Sequence, residues 1–300
     1  MFIGVFDIGG TSIKYGVVNE NGEVISKFQE PTEAKQGGEY IIEKLIELSH
    51  KLIEQWPLDG LGVSTAGQVN SQTGEIVYAT DNIPNYTGIN VAERLREAVG
   101  LNVSVENDVN SMAIAESWYG AAQDVGNFIC IALGTGIGGA AYTDGQLYTG
   151  SRFSAGEFGH ILLYPNGRTC TCGQYGCYEQ YASTLALKRA VSDYYNTDTD
   201  LEDFFDRLKA GSQQEQQIYE DWLENVALGL ASIIHVINPN RVIIGGAISA
   251  QGEFLSSRIQ GKLEKKLLHN HKTKLDVVCS RFGNDSNLIG AAKHYLNQYY

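Results

Sequence analysis

The chain has 300 residues, 43% of them apolar, with 22 Lys and Arg against 35 Asp and Glu for a formal net charge of −13. That length buries one large or two medium cores, and the even spread of apolar residues excludes a disordered chain. The acidic field disfavours non-specific contact with nucleic acid or anionic lipid but leaves phosphate ligands open, because backbone amides hold phosphate without net positive charge.

The opening MFIGVFDIGG carries neither the basic segment nor the apolar core of a leader peptide. No apolar run approaches bilayer length, so a soluble cytoplasmic protein is expected. Residues 2–8, 13–18 and 24–28 read as strands, with Asn21-Gly22 as the hairpin turn between the last two. A helix over about 38–56 follows from Ile41, Leu45, Leu48, Leu52 and Trp56 at helical spacing. Then come a strand ending at Val63, the STAG turn and a hairpin near Thr73-Gly74. Asn90 with Glu93 reads as a cap for a helix to Val99. The strand around Val103–Val105 runs into Glu106-Asn107-Asp108, with a helix expected from Ser111 to Tyr119.

The plan then repeats. A strand at 127–133, a glycine turn, a strand at 139–143 and a tight turn at Asp144-Gly145 echo the first thirty residues. This internal symmetry predicts two related domains. The division expected is 1–118 together with a C-terminal helix at about 285–300, and 119–284 carrying an inserted cysteine loop. Helices are expected at 183–195, 214–237 and 253–268, with a strand at 241–244 before Gly245-Gly246.

The glycine turns suggest phosphate. Asp7-Ile8-Gly9-Gly10-Thr11 follows a strand directly; its amides and the Thr11 hydroxyl can meet a phosphate, and Asp7 can hold a magnesium ion or its water shell. A plain β-turn is the alternative. Gly134-Thr135-Gly136-Ile137-Gly138-Gly139 matches G-x-G-x-x-G but is followed by AAYTDGQLY, which alternates like a hairpin instead of opening a helix, so it is no dinucleotide fingerprint. Gly245-Gly246 is a third turn of this kind, against which adenine and ribose can lie, or simply a helix–strand contact.

Phosphoryl transfer needs positioning, charge neutralisation and an acceptor for the hydroxyl proton. Asp108 can be that acceptor, with Asn107 beside it for a neighbouring sugar hydroxyl; as an alternative, Asp108 caps the helix that follows. Cys170, Cys172 and Cys177, with His160 ten residues upstream of the first, can make a Cys3His set for a closed structural zinc site; free surface thiols are the alternative. Zinc would then fix a loop carrying Glu157, His160 and Glu179 without activating water.

Taken in order, DIGGTSIK (7–14), END (106–108), GTGIGG (134–139), GEFGH (156–160), CTCGQYGCYE (170–179) and IIGG (243–246) resemble the ROK family, best known for bacterial sugar kinases. The resemblance implies a two-domain actin/hexokinase-like (ribonuclease H-like) α/β fold with the active site in the interdomain cleft. It implies ATP and magnesium, transfer to the 6-hydroxyl of a hexose, Asp108 as general base, and a homodimer. Asn107, Glu157, His160 and Glu179 match its sugar ligands; His160, Cys170, Cys172 and Cys177 match its zinc ligands. The nucleotide positions become Asp7, Gly9, Gly10, Thr11, Lys14, Gly134, Thr135, Gly136, Gly245 and Gly246. Family repressors carry an N-terminal helix-turn-helix; here the first phosphate strand starts at residue 2, and no nucleic-acid or membrane partner is expected.

Two segments depart from the pattern. GVSTAGQVN (62–70) replaces a proline-containing G-x-P-G, and Ala140 stands where a third glycine is common. Together with YATDNIPNYTG (78–88) the first bears on the sugar, with Asn82 an extra ligand and Tyr86 a stacking surface for a second ring. Glucose or a β-glucoside ranks first, N-acetylmannosamine second and fructose third; a non-enzymatic sugar sensor is the reading from another class.

Overall fold

In the computed structural model, which describes residues 1–300, the elements run in chain order as β1 (Phe2–Ile8), β2 (Ser12–Asn19), β3 (Val24–Pro31), α1 (Gly38–Gln55), β4 (Gly60–Thr65), β5 (Gln68–Asn70), β6 (Glu75–Tyr78), α2 (Val91–Val99), β7 (Val103–Asn107) and α3 (Asp108–Trp118). The rest comprises β8 (Phe128–Leu133), β9 (Ile137–Thr143), β10 (Gln146–Leu147), α4 (Glu179–Ala182), α5 (Thr184–Tyr195), α6 (Leu201–Lys209), α7 (Gln213–Ile237), β11 (Arg241–Gly245), α8 (Glu253–Leu263), α9 (His269–Lys272), β12 (Asp276–Cys279) and α10 (Ser286–Tyr299).

The internal repeat of the sequence is visible in the sheets. One has the order β3-β2-β1-β4-β7 and the other β10-β9-β8-β11-β12. In the first, β1 pairs antiparallel with β2 and parallel with β4; in the second, β8 pairs antiparallel with β9 and parallel with β11. Tight turns make the antiparallel half possible. Asp144 (φ 53°) and Gly145 (φ 76°) both take the left-handed conformation that a two-residue hairpin needs. At the other hairpin, the Asn19 side chain accepts from the amides of Asn21 and Glu23.

The chain divides into two compact units, residues 1–126, 146–155 and 284–300 in one and 127–145 and 156–283 in the other. Residues 119–126 stay with the first because the Ala122 amide donates to the Glu116 carbonyl at 2.9 Å and the Ala121 amide to the Glu116 carboxylate at 2.7 Å. In the first unit, Ile41, Leu45, Leu48 and Leu52 of α1 are fully buried against the sheet with Phe6, Val63 and Val105. On another face, Leu288, Ala291, Ala292 and Tyr295 of α10 pack with Ile3, Val5 and Val18. In the second unit, Leu223, Val226, Leu230 and Ile234 of α7 bury one stripe with Ile129, Ile131 and Val242.

Three expectations shift. The third helix starts at Asp108, three residues before the expected Ser111, because the Asn107 carboxamide accepts from the amides of Val109 (2.9 Å) and Asn110 (3.1 Å). The cap is therefore Asn107, and Asp108 is the first residue of the helix itself. The helix expected over 253–268 stops at Leu263, and α6 was not anticipated although Leu201, Phe204, Phe205 and Leu208 follow the Asp200 cap at helical spacing. No helix is long and apolar enough to cross a membrane.

Candidate active site

In the first unit, two carboxylate-bearing segments share one sheet edge. Asp7 lies opposite Ser64 in the register of β1 and β4, and Ser64 lies opposite Glu106 in that of β4 and β7. The carboxyl ends of these parallel strands are where open α/β sheets bind ligands. Asp7 is 6% exposed; it accepts a hydrogen bond from the Asn287 carboxamide at 2.9 Å and lies 3.5 Å from the Lys14 ammonium. Burial pushes its carboxyl above the usual range, while Asn287 and Lys14 pull it back.

Asp108 is half-buried at the head of α3. Burial, with the Asp7 charge as the next cause, pushes its carboxyl up to about 6, against hydrogen bonds from the Val109 amide and Asn107. Asn107 is fully engaged: its oxygen caps α3, and its nitrogen donates to Gly67 O and Asp108 Oδ1, both at 2.9 Å. Behind it, Glu106 is 1% exposed and accepts from the Asn107 amide (2.8 Å) and the Asn110 carboxamide (3.0 Å); burial pushes it up to about 7. This unit thus gathers Asp7, Asn107 and Asp108 at one edge.

The turn after β1 is held open from beneath. Thr32 donates its hydroxyl to Gly9 O (2.6 Å) and its amide to Thr11 O (3.0 Å), while Gly10 and Thr11 are exposed. In the second unit, Gly134–Gly136 joins β8 to β9 as a hairpin, as the alternating AAYTDGQLY predicted. Its base is tied down by the Thr184 hydroxyl on Leu133 O at 2.8 Å and the Leu185 amide on Gly134 O at 3.2 Å. Gly245-Gly246 is its neighbour, since Gly245 pairs with Ala132. Gly246 has φ +85°, and a Cβ there would stand 2.2 Å from Leu133 O, so only glycine allows the two strand ends to come so close.

The cysteine loop of the second unit draws four metal-ligand atoms within 4.8 Å of one another: a His160 ring nitrogen and the sulfurs of Cys170, Cys172 and Cys177. Cys172 and Cys177 sulfurs are 3.6 Å apart, and Cys170 Sγ lies 3.7 Å from His160 Nδ1. Zinc with bonds of about 2.0–2.3 Å spans tetrahedron edges of about 3.3–3.8 Å, a range that includes both of these separations, so the donor set suits that ion. Burial, then its thiol neighbours, push Cys177 up to about 12. A cation is what lets such a cluster ionise. The loop folds on itself through Gly176, whose amide donates to Arg168 O at 2.8 Å and whose carbonyl accepts from Leu163 at 2.9 Å.

His160 Nε2 faces the Glu157 carboxylate at 3.9 Å. Glu179, 9% exposed, stands between the cysteine loop and the glycine hairpin: Cys170 Sγ donates to one oxygen at 3.1 Å and the Ile137 amide to the other at 3.4 Å. Glu157, His160 and Glu179 are thus gathered around the metal-ligand cluster. Asn82 is exposed in the segment after β6. Tyr86 does not offer the stacking surface expected of it: it is 1% exposed in the first unit's core, its hydroxyl 3.0 Å from Thr65 Oγ1. Sequence reasoning missed Asn287, Glu106 and Thr32. Only Glu106, the first letter of END, carried a local signal; the partners of Asn287 and Thr32 lie too far along the chain.

The ROK family model matches residues 3–297. The chain is 31% identical to the glucokinase of Thermotoga maritima, over 97% of this chain and 95% of that one. It is 30% identical to the beta-glucoside kinase of Listeria monocytogenes, over 99% and 98% of the two chains. The solved ROK family glucokinase of Streptomyces griseus, in complex with glucose and AMPPNP, superposes with a TM-score of 0.87 at 28% identity, covering 97% of this chain and 98% of that one.

Proposed function

The chain belongs to the ROK family and is an ATP-dependent hexose kinase, and from that premise we propose that it phosphorylates the 6-hydroxyl of glucose or a β-glucoside with Asp108 as general base. The observation that carries the assignment is the Asp108 carboxylate, half-buried beside Asp7 and with its proton affinity raised to about 6. A base is most useful when its pKa lies near the working pH.

In the proposed reaction the sugar O6–H proton passes to an Asp108 carboxylate oxygen. O6 forms a bond to the γ-phosphorus, the bond from that phosphorus to the bridging β–γ oxygen breaks, and ADP leaves. Asn107 orients Asp108 through the bond between its carboxamide and Asp108 Oδ1. Glu157, His160 and Glu179 are the proposed sugar ligands, with Asn82 an additional one; Asn107 joins them by exchanging its bond to Gly67 O for one to a sugar hydroxyl. Gly9, Gly10, Thr11 and Lys14, Gly134, Thr135 and Gly136, and Gly245 with Gly246 are the proposed nucleotide contacts. Magnesium bound with the nucleotide would neutralise charge on the transferred phosphoryl group, and Asp7 is the residue to hold it. Zinc on His160 and the three cysteines would fix the loop that carries Glu157 and Glu179.

ATP-dependent phosphorylation across glucose, cellobiose, N-acetylmannosamine and fructose tests this. Preferred turnover of glucose or cellobiose is expected. Preference for N-acetylmannosamine would overturn the substrate ranking, and tight sugar binding without turnover would overturn the kinase assignment in favour of a sensor.

A further inference from the structure

Asp7 is a deeply buried carboxylate, and the charged groups facing it are few. Lys14 comes from β2 and Asp108 from the head of α3, while the partner that α10 supplies is the uncharged carboxamide of Asn287. The Lys14 ammonium stands off at 3.5 Å, longer than a charge-assisted hydrogen bond, so the 2.9 Å bond from Asn287 is the closer contact.

Asn287 is itself held firmly. Lys27 pairs with Asp285 at 2.6 Å just before α10, and Ser286 is 1% exposed. One turn on, α10 crosses α3 so closely that a Cβ on Gly290 would stand 1.8 Å from Ser111 O, a contact only glycine permits. A rigid helix that crosses the one beginning at Asp108 therefore also delivers a donor to Asp7.

The residue type suits this task. A carboxamide gives one hydrogen bond to a carboxylate without adding charge, so the carboxylate keeps its full negative charge for a cation. Lys or Arg there would compete with the cation, and Asp would repel the carboxylate. We propose that Asn287 is a positioning residue of the kinase, holding the Asp7 carboxylate oriented for the divalent cation that accompanies ATP. This rests on the assignment of Asp7 to that cation. Without the 2.9 Å bond from Asn287 the Asp7 carboxylate is free to turn away from the orientation that the cation needs.

Manganese binding to the full-length protein with AMPPNP, followed by electron paramagnetic resonance, tests the proposal without turnover. Asn287→Leu is expected to weaken manganese binding about tenfold, the scale of one hydrogen bond to a charged group. In an Asp7→Asn background the same change is expected to have no further effect. Equal loss in both backgrounds would reduce Asn287 to a packing role, and no loss beside a clear Asp7→Asn effect would overturn the proposal alone. If Asp7→Asn itself binds manganese like the parent, the assignment of Asp7 fails and the proposal with it. Asn287→Ala, which adds no bulk, serves the same cycle if the leucine variant does not fold.

Discussion

At the residue scale, Asp108 holds its proton more tightly than a free aspartate because burial and the Asp7 charge both penalise its ionised form. A general base works deprotonated, so kcat/KM is expected to rise as pH increases through about 6 and to level off above it. Stability runs the other way. The native state keeps these protons to higher pH than the unfolded chain, so Asp108 and Glu106 favour folding fully below about pH 4. That contribution is lost as pH rises through about 6 and about 7 respectively. Asp108→Asn is therefore expected to lower kcat by about 10²–10⁴ while leaving the melting temperature at pH 7.5 unchanged or higher. Kinetics and a thermal melt on the same sample check both. An active Asp108→Asn enzyme would remove Asp108 from the chemistry.

At the element scale, the cysteine loop and the glycine hairpin are one mechanical piece. Glu179 joins them, touching Cys170 with one oxygen and the Ile137 amide with the other. The loop's backbone bonds, such as Cys170 N to Gln174 O at 2.8 Å and Leu163 N to Gly176 O at 2.9 Å, mostly tie the loop to itself, and many neighbouring side chains are exposed. Such a segment has little apolar burial to keep it ordered without a metal. One zinc per chain is expected by metal analysis. Its removal by chelation is expected to raise amide exchange across residues 160–179 and to weaken sugar binding tenfold or more. Unchanged sugar affinity after verified metal loss would break the link drawn between the metal and the substrate.

At the scale of the whole molecule, both chain ends build the first unit. β1 is its central strand, and α10 covers the face on which Ile3 and Val5 lie. Burying a large apolar side chain contributes about 1.5–3 kcal/mol, so the Leu288 and Tyr295 contacts, with the valine and isoleucine side chains they cover, amount to about 5 kcal/mol or more. That is comparable to the stability of an ordinary domain, about 5–15 kcal/mol. Deleting residues 286–300 is expected to yield a protein without a cooperative melt, and with it the loss of kinase activity. A soluble, cooperatively folding truncated chain would contradict this account of the core.

The amino-acid sequence by itself determined the duplicated α/β plan, because strand alternation, hairpin turns and helix caps act over a few residues. Asn90 does cap α2 and Asp144-Gly145 does close its hairpin. The metal cluster was legible too: three of its ligands lie within eight residues, and glycines let the loop fold around them. Only the tertiary structure decided that Tyr86 belongs to a core, that Asn107 and not Asp108 caps α3, and that Asn287 reaches Asp7. Burial and hydrogen bonding are properties of a residue's neighbours in space, and those of Asp7 include a residue 280 positions along the chain.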